Sequence, residues 1–218
     1  MDYGSMVGES FEYAKEAVVG KWNKWVMLII ATILLGLPLM GYVMKVLRGE
    51  KPAPEVTDWG TLFVDGIKYL IVGIIYAIPI IIVEFLVLGA GFAGAMTQDP
   101  TRAMAAIGTM LVGIVVILIL AIIIGLFATV GMVRLARTGN IGEAFNFSAI
   151  LATIRKIGWV PYIIALIVLG VCGVIFGIIV AVLMMIPILG IILYVCLISP
   201  WAIFAARYIC QLYDSAGA

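Results

Sequence analysis

From Ile157 to Ala206 the chain carries no charged residue, a run of about 50 positions. A single helix of that length would extend roughly 75 Å at 1.5 Å per residue, whereas the hydrocarbon core of a bilayer is about 30 Å thick. The run must therefore turn back on itself. The sequence places that turn at Ile186-Pro187-Ile188-Leu189-Gly190, because proline removes a helix donor and glycine tolerates the bend. Two helices joined by a tight apolar hairpin near a membrane surface result. Composition agrees, since 65% of the 218 residues are hydrophobic and only 11% are charged. Ordinary globular domains carry about 25% charged residues, and a soluble fold of this length cannot hide so much apolar surface.

About 20 consecutive apolar residues can cross the hydrocarbon core as a helix. About five stretches reach that length, at 25–44, 69–96, 103–133, 159–185 and 188–206. The expected fold is all-α: a polytopic transmembrane helix bundle over 25–209, with interfacial amphipathic helices and a short tail at 210–218. The first such helix occupies 1–24. There Val7, Phe11, Ala14, Val18 and Trp22 recur at helical spacing up to Trp25, with Glu9, Glu12 and Glu16 on another face. That stripe suits a helix lying in the membrane interface or one packed on the bundle. The three glutamates before the first apolar run also argue against a cleavable signal.

Two polar connections are long enough to hold helices of their own. In 45–68, Asp58 is placed to cap a helix running through Trp59, Phe63 and Ile67. In 134–158, Asn140 with Glu143 three residues on resembles a capping box, followed by Phe147, Leu151 and Ile154. With five spans, these connections and the C-terminus share one side. That side holds Lys45, Arg48, Lys51, Lys68, Arg134, Arg137, Arg155, Lys156 and Arg207, against Lys15, Lys21, Lys24 and Arg102 on the other. The positive-inside rule then makes the connections and C-terminus of this cell-membrane protein cytoplasmic and puts the N-terminus outside. There is also an internal echo. Gly41 to Gly49 with Lys45 and Arg48 parallels Gly131 to Gly139 with Arg134 and Arg137, as a parallel repeat would.

Three segments carry a resemblance. The runs Gly41-Tyr42-Val43-Met44-Lys45-Val46-Leu47-Arg48-Gly49, Asp58-Trp59-Gly60-Thr61-Leu62-Phe63-Val64-Asp65-Gly66-Ile67-Lys68 and Tyr76-Ala77-Ile78-Pro79 resemble an uncharacterised family of archaeal membrane proteins, catalogued as domain of unknown function 4013. Gly139 to Phe147 and Ile157-Gly158-Trp159 are similar to it as well. The resemblance implies an archaeal origin and a multi-span fold. It brings no reaction and no catalytic residues.

The residues that could carry chemistry are few. Histidine is absent, which removes the commonest general base and metal ligand. Cys172, Cys196 and Cys210 show no C-x-x-C spacing, so buried free thiols are expected and no metal or cofactor is implied. A net charge of +1 gives no reason to expect nucleic acid as a partner. Glu84 stands apart as an ionisable group well inside a span. Two readings of it stand side by side: a proton- or cation-coupling carboxylate in a transport path, or a protonated carboxyl bonded to Tyr162, Tyr194 or Thr129 of a neighbouring helix. Pro79 frees the carbonyl of Ile75 and bends the span near Tyr76, so Glu84, Tyr76 and Pro79 make the candidate intramembrane binding site. Gly170, Gly173, Gly177 and the Gly89–Ala95 stretch suit close helix packing. The basic pairs Lys45/Arg48 and Arg134/Arg137 suit either topology anchoring or anionic headgroups. No nucleophile elbow, phosphate loop or zinc-protease motif occurs, and Asp58 with Asp65 are better explained as a cap and a solvated face. The expected role is non-catalytic: a membrane scaffold, subunit or lipid-interacting component, partnered by the bilayer and by a membrane protein or a second copy. A small-solute or ion transporter component is the alternative, and a lipid-headgroup enzyme the third.

Overall fold

A computed structural model of the chain describes residues 1–97, 99–186 and 188–217. Among these the ordered elements are all helical: α1 (Tyr3–Val18), α2 (Trp22–Ile33), α3 (Leu37–Leu47), α4 (Trp59–Ala95), α5 (Pro100–Thr138), α6 (Phe147–Ile157), α7 (Trp159–Leu183) and α8 (Leu189–Asp214), with a 3-10 turn at Ile141–Phe145. Four of them, α4, α5, α7 and α8, are long and apolar enough to cross a membrane. In their most apolar stretches only 6% to 28% of residues are buried. Apolar surface left open on that scale calls for lipid or protein cover rather than water. The chain divides into two compact units, Met1–Ile71 with Thr129–Ala218, and Val72–Ala128.

In the smaller unit α4 and α5 run antiparallel, held close where glycine removes a side chain. A Cβ added to Gly94 would lie 2.1 Å from that of Ala106, and one on Gly113 would lie 2.1 Å from Val87. Gly91 meets Met110 in the same register. The small-residue stretch at 89–95 therefore packs as expected at Gly91 and Gly94. Gly170 and Gly177 do not, having nothing within 4 Å of an added Cβ.

The larger unit holds the remaining helices. Its α7–α8 hairpin falls where the uncharged run predicted, although Pro187 itself lies outside the described residues. Ile188 takes a left-handed φ of 64°, and an added Cβ on Gly190 would sit 2.3 Å from the carbonyl oxygen of Leu183. Only a residue without a side chain lets the helices start this close together. Pro200 deprives the Cys196 carbonyl of its α8 donor; the Trp25 indole donates to that oxygen instead, at 3.1 Å.

The stretch 25–44 is not one continuous helix. It forms α2 and α3, broken at Leu34-Leu35-Gly36, where Leu35 and Gly36 have φ of 57° and 69°. A straight helix would hold Lys24 and Tyr42 roughly 27 Å apart. Instead the Lys24 ammonium donates to Ala53 O at 2.8 Å and the Tyr42 hydroxyl donates to the adjacent Pro54 O at 2.8 Å, so the chain doubles back between them. Each helix is shorter than the roughly 30 Å a crossing needs. The returning α3 lies against the start of α4, with Gly41 on Leu62 O and Gly66 on Leu37 O, both within 2.0 Å of an added Cβ. Leu37 thus sits beside Gly66, about a turn short of Tyr69, where the long apolar run of α4 begins. The exposed tip of Ile33, Leu34 and Leu35 therefore lies at the threshold of that run.

α1 packs along α8: Gln211 donates to Ser10 Oγ at 2.8 Å and to Met6 O at 3.3 Å. The Tyr13 hydroxyl donates to Glu50 O at 2.7 Å. N-terminal helix, first connection and C-terminal end of α8 lie together. The buried stripe of α1 is Met6, Ser10, Tyr13, Ala14, Ala17 and Val18, so Phe11 and Trp22 of the expected stripe stay exposed. Of the two readings of this helix, packing on the bundle is the one adopted.

Candidate functional site

The residues singled out within a span do not converge. Tyr76, Pro79 and Glu84 all lie in the smaller unit on α4, which continues through Pro79. Tyr76 is buried whereas Pro79 and Glu84 are exposed. Eight residues separate Tyr76 from Glu84, roughly 12 Å of rise and a different face of the helix. Glu84 has no hydrogen-bond or ion-pair partner among the described residues. Thr129, Tyr162 and Tyr194 belong to the larger unit.

Charge in the larger unit is organised quite differently. α3 and α5 both end in a glycine of left-handed conformation, Gly49 at φ 89° and Gly139 at 69°. Before each stands an arginine that caps the other helix: Arg48 Nε donates to Ala136 O at 3.0 Å, and Arg137 Nε donates to Leu47 O at 3.0 Å. The last carbonyls of a helix lack internal donors and carry partial negative charge, so a guanidinium there satisfies both needs. The echo between the two segments is thus a reciprocal, two-fold contact. It does not extend to paired spans, because α3 belongs to a short hairpin and α5 is 39 residues long.

Each of these arginines also holds a carboxylate. Arg48 reaches Asp65 at 2.5 Å, and Arg137 reaches Asp214 at 2.5 Å. Asp65 is buried against Arg48 and is not the solvated face expected of it. Losing its partner would leave a buried charge uncompensated, a cost of about 3–5 kcal/mol. Arg134 pairs with Glu143, which diverts that glutamate from the expected capping box. Asn140 caps the 3-10 turn through Gly142 N at 2.9 Å, and Asn146 caps α6 through Ala149 N at 3.2 Å. The buried face of α6 is Ile150, Thr153, Ile154 and Ile157, with Phe147 exposed. Asp58 does cap α4, accepting from Thr61 N at 3.3 Å; the Thr61 contacts hold its carboxyl below the usual range.

Sequence reasoning missed Glu9 and Arg207. One oxygen of Glu9 accepts from Lys51 at 2.6 Å and from Arg207 at 2.7 Å. Arg207 is 3% exposed, stacks over Tyr13 with its guanidinium carbon 5.2 Å from the ring centroid, and leaves Nε without a hydrogen-bond partner among the described residues. The Lys51 and Arg207 contacts, in that order, hold the Glu9 carboxyl below its ordinary value. A polar cleft of about 350 Å³ opens beside the cluster, with Asp2, Ser5, Glu9, Lys51 and Gln211 in its wall. Nothing in the sequence marked this pair beyond their being charged, since 198 positions separate them.

The whole is an all-helical chain with four membrane-length apolar helices and an ion-paired assembly of shorter ones. It belongs to the protein family of unknown function DUF4013, whose model matches residues 25–186. Neither a curated protein nor a solved structure matches it. The matched region takes in the reciprocal arginines, Asp65 and Glu84, and excludes Glu9 and Arg207.

Proposed function

We propose that this is a multi-pass membrane protein of archaeal origin with a non-catalytic role, a scaffold or lipid-interacting subunit. It has four crossings and a short hairpin resting at the membrane surface. Both termini and the long connections lie in the cytoplasm. That arrangement gathers twelve of the thirteen basic residues on one side and leaves Arg102 on the other, a sharper positive-inside bias than five spans allow. The observation that carries the role is how the charged groups of the larger unit are engaged. Arg48, Arg134, Arg137 and Arg207 each join one helix or connection to another. Groups so committed hold a platform together and are not held ready for a reaction.

The transporter alternative rests on Glu84, whose exposure fits contact with a membrane partner better than a path enclosed by this chain. Proteoliposomes decide between them. A scaffold gives proton and solute fluxes equal to those of empty liposomes, unchanged by Glu84→Gln. A flux in the wild type that Glu84→Gln removes would replace the scaffold with a transporter. Release of the protein from membranes by alkaline carbonate would overturn the multi-pass placement.

A further inference from the structure

We propose that Arg155, Lys156 and Trp159 form a docking surface for the phosphate of an anionic phospholipid. Among the described residues, eight basic side chains are paired with carboxylates. The pairs Lys45/Arg48 and Arg134/Arg137 drop out as headgroup sites for that reason: both of their second arginines, and Arg134, are held by internal partners. Arg155 and Lys156 are exposed and have neither an ion pair nor a side-chain hydrogen bond among the described residues. They stand side by side in the last turn of α6, whose opposite face is buried.

The chain then places them at a defined depth. Gly158, at φ 93°, ends α6 and redirects the backbone. Trp159 and Val160, 40% and 69% exposed, open α7, whose 25 residues carry no charge. A cation within about one turn of the first apolar residue lies level with lipid phosphates, and a tryptophan at the same level is the usual interfacial neighbour. The C-terminal dipole of α6 favours cations there on its own account, so the test must read lipid binding and not stability alone.

This inference rests on the multi-pass placement above, and the carbonate extraction of the same variants keeps the two questions apart. Full-length protein in detergent is titrated with short-chain phosphatidylglycerol or phosphatidylcholine, following the thermal midpoint. Arg155→Gln with Lys156→Gln weakens phosphatidylglycerol binding roughly thirtyfold, from two cations near the surface, and leaves phosphatidylcholine unaffected. Arg155→Lys with Lys156→Arg retains wild-type affinity within about threefold on the same electrostatic ground. Lys15→Gln with Arg102→Gln, which removes equal charge elsewhere, changes nothing. Wild-type affinity in the glutamine variant overturns the proposal, as does an equal loss in the Lys15/Arg102 control. Competition by inorganic phosphate at matched concentration would overturn the lipid as the source of the phosphate.

Discussion

At the scale of single residues, Glu9 shows how much rests on one carboxylate. Its Oε1 ties α1 to Lys51 of the first connection and to Arg207 of α8, three segments far apart in the chain. Because those cations lower its folded pKa, the stabilisation is present above the unfolded value and disappears as pH falls through the folded one. α1 should therefore be firmly docked at neutral pH and loosen below about pH 4.5, the ordinary glutamate value. Glu9 is half exposed, so solvent screening keeps the effect modest. Hydrogen exchange of the α1 amides, corrected for the intrinsic pH dependence, measures it: protection falls in acid for the wild type. In Glu9→Gln it is low already and flat with pH. Wild-type protection that does not change between pH 7 and pH 3.5 would rule out this linkage.

At the scale of elements, closeness of backbone matters more than any polar contact. Gly41 and Gly66 let α3 and α4 approach until the carbonyls of Leu62 and Leu37 occupy the space a methyl would need. Gly66→Ala should cost about 1–3 kcal/mol or more, because backbone cannot yield as a side chain can. Gly89→Ala, which meets nothing within 4 Å, should be neutral or slightly stabilising by helix propensity. Chemical denaturation in detergent compares the two; equal midpoints would show that the crossing is looser than described. The same elements show what was legible beforehand. Asp58 was readable as a cap because capping is local, and the Gly190 turn because a charge-free run of that length has to break. The hairpin tip was missed, although Gly36 and Pro38 punctuate the stretch much as Pro187 and Gly190 do theirs. Hydropathy alone cannot separate a crossing helix from two short ones, and a proline in the first turn starts a helix as readily as it stops one. Pro200 and Trp25 make the same point: the indole that replaces the lost donor lies 171 positions away.

At the scale of the whole molecule, the helices long enough to cross follow from apolar length, and the ion pairs that gather the shorter ones do not. Arg137 with Asp214 and Arg207 with Glu9 are long-range choices among many charges of equal sign. Glu84 remains legible as an expensive residue in an apolar run, but its exposure on α4 depended on which face met α5. The central claim is topological: four crossings with both termini in the cytoplasm, where a hydropathy count of five separates them. Reporter fusions active only on one side of the membrane, placed at each terminus of the full chain in turn, test it most directly. The account predicts a cytoplasmic signal from both ends, and a reporter after Leu35 that remains on that same side. Termini reporting from opposite sides would contradict it.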